Sequence, residues 1–321
     1  MNRLYALLLK VRPLQSGTLM PFSGELVHAA FLRWLKDAAP DVATWLHDGN
    51  KRRLFTCSSL QFPFPTQRAE HTNLHLPLDP EKTYTMRITL LLGELFPLFH
   101  TALMHFYTTE KGAQKSPFVQ IGKQLFLLED VIIDNRDTSG WTGFTSFAEL
   151  VEQAQTVRLR KVESLAMEFA SLTTFNRANR RNLVYGSHYA RLPLPHYVFP
   201  GLVRRWQELA PPELVHIVQM EHVEQYIEDD GVVIGDYDLQ PHQVRFTKHM
   251  QLGFVGRCTY DIRSPGEEVK GTEKAPLTMC QQIWLLAQLA FYCGSGYKTA
   301  MGMGQVRLIE KKTMVPPLLV K

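Results

Sequence analysis

One histidine and three cations stand together in "WLHDGNKRRLF", residues 45–55. The segment from Pro40 to His47 predicts a short helix, closed by the turn Asp48-Gly49-Asn50. His47 then lies in the last helical turn, where the helix dipole favours the imidazolium form. Histidine also exchanges protons near neutral pH. Lys51, Arg52 and Arg53 follow at once. A proton-transferring group beside fixed positive charge is the combination that phosphodiester cleavage calls for. The same residues also suit a plainer role, a helix-ending histidine followed by surface charge. His28, at the edge of the apolar stripe of the first predicted helix, is a second candidate for proton transfer.

A second cluster is "GSGYKTAMGMGQV", residues 294–306, with Gly294, Gly296, Gly302 and Gly304 around Lys298 and Thr299. A nucleotide phosphate loop needs Gly followed directly by Lys, after a strand and before a helix. Here Tyr297 separates Gly296 from Lys298. The order of elements is also reversed. Apolar residues at Met279, Ile283, Leu286, Leu289 and Ala290 predict a helix before the loop, and "QVRLIE" alternates like a strand after it. The loop therefore lies away from the helix N-terminus that usually cradles phosphate. Its backbone amides and Lys298 still suit a chain of phosphates.

Charge is distributed to match. The 35 basic and 31 acidic residues nearly cancel, at a net +4. Yet Ser171 to Gln207 carries Arg177, Arg180, Arg181, Arg191, Arg204 and Arg205 with no acid, and also His188 and His196, which suit phosphate contacts. From Gly294 onward, Lys298, Arg307, Lys311, Lys312 and Lys321 face Glu310 alone. Local basic clusters on a nearly neutral chain suit an anionic polymer held on one face. The sequence carries no HExxH, no Cys/His tetrad and no GxSxG elbow, so neither a metal nor another cofactor is expected. Cys57, Cys258, Cys280 and Cys293 lack paired spacing and read as buried thiols in a reducing cytoplasm. No apolar run reaches membrane-spanning length, and the first residues do not read as a signal peptide.

The elements that must position these groups read as strand, helix, strand, strand, helix, strand in the first half. "RLYALLLKV" alternates, and Val27, Ala30, Phe31, Trp34 and Leu35 make a helical stripe. Tyr84, Met86, Ile88 and Leu90 share one strand face, Leu95 to Phe106 reads as a second helix, and residues 117–133 read as one long extended segment. This is the ferredoxin-like βαββαβ order. The second half repeats it, from "SLAMEF" through a helix containing Pro200, strands at "DGVVIG", "VRFT" and "GFVGRCTYDI", to the helix before the glycine loop. Residues 139–155 read as a turn and short helix between the halves. The expected fold is α+β: two tandem ferredoxin-like domains, residues 1–140 and 141–321. Such sheets also carry RNA-recognition motifs, which stack bases on strand aromatics. No strand has that aromatic pattern, so any RNA grip is expected to be mostly electrostatic.

The glycine loop, preceded by "AFYC", resembles the C-terminal motif of the CRISPR repeat-processing endoribonucleases of the RAMP superfamily. "ELVHAAFLRWLKDAAPDVATWLHD", "RLFTCSSL", "LAMEFASLTTFN", "LPLPHYVFPGLVRRW" and "LGFVGRCTYDI" resemble further family segments in the same order. The resemblance implies two ferredoxin-like domains and metal-independent cleavage of CRISPR repeat RNA, with 2′-hydroxyl attack leaving a 2′,3′-cyclic phosphate and a 5′-hydroxyl. It implies His47 as the catalytic histidine, with Arg53 where some members carry lysine; His28, where others carry a helix arginine, is the expected partner of His47. Leu32 stands where some members carry a catalytic tyrosine, and "SLT" at Ser171 to Thr173 replaces the family's "SPT". Lys51, Arg52, Arg177, Arg180, Arg181, Lys298 and Thr299, with the loop glycines, are the expected RNA contacts. Other implied partners are further subunits of a CRISPR effector complex, and the implied state is a monomer or homodimer. A catalytically silent RNA-binding RAMP subunit is the alternative.

Overall fold

The computed structural model describes residues 3–47, 54–62, 75–105, 118–134, 137–157, 162–177, 188–263 and 277–309. The first half runs β1 (Arg3–Pro13), β2 (Gly17–Leu19), α1 (Gly24–Ala38), α2 (Pro40–His47), β3 (Phe55–Cys57), β4 (Leu76–Leu78), β5 (Tyr84–Leu90), α3 (Leu95–His105), β6 (Phe118–Ile121) and β7 (Gln124–Ile132). Its main sheet has the order β3-β5-β1-β7-β6, with all neighbours antiparallel. Strand alternation sorts the side chains. Leu7, Leu9, Val11, Met86, Ile88 and Leu90 face the α1, α2 and α3 layer, where Val27, Phe31, Trp34, Leu35 and Phe99 complete one core. The segment expected as one long strand is instead a hairpin: Ile121 pairs with Gln124 across a two-residue turn, in which Gly122 takes φ +62°. Glycine adopts that backbone without Cβ strain.

The second half adds β8 (Gly143–Ser146), α4 (Phe147–Thr156), β9 (Val162–Thr173), β10 (Phe175–Arg177), β11 (His188–Ala190), α5 (Pro195–Leu209), α6 (Pro212–Val215), α7 (Met220–Glu228), β12 (Val232–Arg245), β13 (Met250–Arg263), α8 (Met279–Cys293) and β14 (Val306–Leu308). Its sheet has the order β12-β13-β9-β14. Both sheets thus carry the interleaved ferredoxin-like order. The expected strands at "DGVVIG" and "VRFT" are two ends of one 14-residue strand, β12, which pairs with β13 along its length. Pro241 is tolerated because β12 lies at the sheet edge. Helix α5 runs through Pro200 because Val198, Phe199, Leu202, Val203 and Trp206 are all buried, and this packing outweighs one missing backbone bond. The chain crosses between sheets at β8, which pairs with β1, and α4, which packs into the second core. Ser146 and Glu149 form a reciprocal capping box that starts α4. No helix among the described residues is long and apolar enough to cross a membrane.

The helix-free face of the first sheet is not a solvated surface. Arg87, on the opposite face of β5 from Met86 and Ile88, is 1% exposed. Its Nε donates to Trp141 O at 2.8 Å, one terminal nitrogen to Gln305 Oε1 at 2.6 Å and the other to Phe291 O at 2.7 Å. The guanidinium also lies 4.4 Å from the Phe291 ring centre and 5.2 Å from that of Trp141. Burial pulls its pKa down to about 9, so it keeps its proton at neutral pH. Gln305, fully buried, donates through Nε2 to Cys57 O at 3.2 Å. Thr89 Oγ1 donates to Tyr292 O at 2.7 Å. Each unmade buried hydrogen bond costs roughly 1–3 kcal/mol. Arg87→Ala is therefore expected to lower stability by about 3 kcal/mol or more, read from the urea midpoint. A loss below about 1 kcal/mol would show that the clamp is dispensable.

Candidate functional site

The glycine loop occupies the seam between the two halves. It starts at the C-terminal end of α8, where Gly294 takes φ +69°, and ends at Gly304, with φ +66°, just before β14. These two residues close the loop on itself. Ser295 N donates to Gly304 O at 2.9 Å, and a Cβ on Gly304 would lie 2.2 Å from Ser295 O. Two further bonds pin the loop to its own sheet: Gly304 N to Leu172 O at 3.0 Å and Tyr297 N to Thr174 O at 2.8 Å. Between them lies a single 3-10 turn, Thr299–Met301, entered through Lys298 in the left-handed region at φ +55°.

Helix α1 of the first half lies directly on this turn. His28 is 8% exposed and stacks on Phe55, with ring centres 5.3 Å apart. Its Nδ1 is 2.9 Å from Ala300 O. A carbonyl can only accept, so Nδ1 carries a proton and donates it to the loop. At the helix start the two backbones almost touch, since a Cβ on Gly24 would lie 2.1 Å from Met301 O. The turn between β12 and β13 completes the enclosure. Thr247 donates to Glu25 Oε2 through its backbone N at 2.8 Å and its hydroxyl at 2.7 Å.

Lys298 is half-buried. Its ammonium lies 4.0 Å from the Phe246 ring centre and 3.0 Å from His249 Nε2, to which it donates. Burial lowers its pKa, and Glu25 opposes that shift. Lys298 is thus one member of a group with Glu25, Phe246 and His249 rather than a lone surface cation.

The structure therefore brings together His28, Gly294, Gly296, Lys298, Thr299, Gly302 and Gly304. The backbone of His47 ends α2 beside α1; its side chain, with Lys51, Arg52, Arg53, Arg180 and Arg181, lies outside the described residues. Arg177 pairs through its backbone with the exposed His188 across the β10–β11 hairpin, and His196 is exposed near the start of α5. The loop's positioning residues were not evident from sequence. Arg87 had one visible signal, a lone cation in the otherwise uncharged strand "YTMRITL". No group of metal-binding side chains is present among the described residues.

Two family models cover most of the chain. The Cas6 N-terminal domain matches residues 4–152, and CRISPR-associated endoribonuclease Cas6 matches residues 167–306. The chain belongs to the Cas6 family. Solved Cas6 structures share the fold. A Thermus thermophilus Cas6 product complex superposes with a TM-score of 0.69 at 22% identity, covering 96% of this chain and 100% of that one. A second Cas6 product complex gives 0.62 at 19% identity, over 96% and 99%. A Cas6-related protein from Pyrococcus furiosus gives 0.54 at 14% identity, again over 96% and 99%. Among curated protein sequences none matches. In this Cas6 the approach of α1 to the loop has a direct test. Gly24→Ala is expected to cost roughly 1–3 kcal/mol by overpacking against Met301. Gly201→Ala, a helix position with no atom within 4 Å of the added Cβ, is expected to be neutral or stabilising. Equal urea midpoints for the two variants would show that the contact is not tight.

Proposed function

We propose that this Cas6 binds the repeat of a CRISPR transcript and cuts it by metal-independent transesterification. The observation that carries the reading is the meeting of the buried His28, donating through Nδ1 to Ala300 O, with the glycine loop of the other half. Membership of the Cas6 family supports it, as do related structures described as Cas6 product complexes and as a RAMP protein binding different RNA substrates. In the proposed reaction the 2′-oxygen bonds to the adjacent phosphorus while the bond from phosphorus to the 5′-oxygen breaks. The proton lost by the 2′-hydroxyl goes to a base, and the leaving 5′-oxygen gains one from an acid. The products are a 2′,3′-cyclic phosphate and a 5′-hydroxyl. His47 is the proposed main proton-transfer group and His28, through Nε2, its partner. Arg53, with Lys51 and Arg52, offsets charge on the phosphorane; arginine holds charge but does not release a proton. Lys298 and the loop amides position the backbone, and Arg177, Arg180 and Arg181 extend the basic track.

Single-turnover cleavage of the repeat RNA in EDTA tests this. The expected result is cutting once per repeat. A repeat with 2′-deoxyribose before the cut should bind equally and stay intact, and His47→Ala should be slower by on the order of 10²-fold with little change in affinity. Binding without cleavage by the wild-type protein would instead identify a silent RNA-binding subunit. Cutting of the deoxy substrate at the same bond would rule out 2′-hydroxyl attack.

A further inference from the structure

We infer that Tyr189 and Tyr297 form a stacking platform for one unpaired nucleobase of the bound RNA. This rests on the RNA-binding reading above. The sequence shows no strand with an aromatic stacking pattern, because this pair is assembled from the β10–β11 hairpin and the glycine loop. The rings lie 5.6 Å apart, tilted by 48°. Tyr297 is partly buried, whereas Tyr189 is 40% exposed. A large aromatic ring left open on a hairpin, backed by a second ring, presents the sequence-tolerant π-surface on which single-stranded bases stack.

The pair is held in place from below. Thr174 accepts the Tyr297 amide at 2.8 Å through its carbonyl, and its hydroxyl donates to Ala190 O at 2.9 Å. One residue at the end of β9 thus fixes the backbone of both tyrosine segments, so little ordering remains to be done on binding. The surroundings suit a nucleic acid strand. Lys298 lies 5.5 Å from the Tyr297 ring centre, the exposed Arg191 is two residues beyond Tyr189, and no acidic side chain lies between Ser171 and Gln207. Burial, aided by the Tyr189 neighbour, raises the Tyr297 pKa, so this phenol stays neutral beside phosphate. Tyr189, Tyr297, Lys298, Phe246 and His249 form a contiguous row in which one cation lies among the rings, with Phe246 buried beneath it.

The test uses full-length protein and two single-stranded oligoribonucleotides, one with all bases and one of the same length with abasic riboses. Tyr189→Ala is expected to weaken binding of the base-bearing strand about tenfold. It should leave the abasic strand and the salt slope unchanged, because no phosphate contact is removed. Tyr189→Phe should bind as the wild type does, since the π-face is kept. A 2-aminopurine strand should show quenching that Tyr189→Ala abolishes. If wild-type protein binds the base-bearing strand in a salt-dependent way and Tyr189→Ala matches it, the platform is wrong while the RNA-binding reading stands. Equal losses on both strands, or a changed salt slope, also overturn the platform and assign Tyr189 to backbone contact. If wild-type protein binds neither these strands nor the repeat RNA, both readings fail.

Discussion

A buried guanidinium holds this molecule together. The hydrogen bonds that Arg87 makes run to neutral acceptors: two backbone carbonyls, of Trp141 and Phe291, and the amide oxygen of Gln305. A cation taken out of water is tolerated only where its donors are met. Here three carbonyl-type oxygens and two aromatic rings meet them. Those acceptors come from the connection between the sheets, the end of α8 and the start of β14. Separating the two sheets would break these three hydrogen bonds and both ring contacts at once, so the buried cation ties the two ferredoxin-like units together.

The same lock sets the site. Phe291 and Tyr292 lie in the last turn of α8 before the glycine loop, and Gln305 immediately follows it. Arg87 and Thr89 hold the first end, and Arg87, through Gln305, holds the second. The loop itself is short of side chains and must be shaped by its ends. Once they are fixed, the 3-10 turn presents Ala300 O to His28, and α1 closes on Met301. A histidine supplied by one half of the molecule thus donates to a backbone loop supplied by the other. Lys298 is carried into the group formed by Glu25, Phe246 and His249 by the same geometry.

Much of the fold was legible from residue spacing. The stripe Val27, Phe31, Trp34 and Leu35 and the alternation of Met86, Ile88 and Leu90 located α1 and β5 because one face of each is buried. Boundaries were less legible where local signals compete. Gly122 turns what reads as one extended segment into a hairpin, and β12 reads as two strands because Gly235, Pro241 and the acids Asp236 and Asp238 interrupt an edge that needs no continuous apolar face. The glycine loop and His28 stood out as residues, but their contact did not, since it joins positions 28 and 300. Arg87 was not singled out, because nothing local shows that the polar face of a sheet will be covered. Tyr189 and Tyr297 were invisible as a pair for the same reason: long-range pairing leaves no periodicity.

The central claim is that Arg87 and Gln305 act as one coupled clamp across the seam. A double-mutant cycle measures this directly, with urea stabilities of Arg87→Ala, Gln305→Ala and the double variant. Residues sharing one buried network show coupling of about 0.5–3 kcal/mol, whereas independent sites add to within about 0.3–0.5 kcal/mol. The account predicts a coupling of about 1 kcal/mol or more, with the double variant less destabilised than the sum of the singles. Simple additivity would contradict it, and would mean that the two sheets are held in register by contacts other than this one.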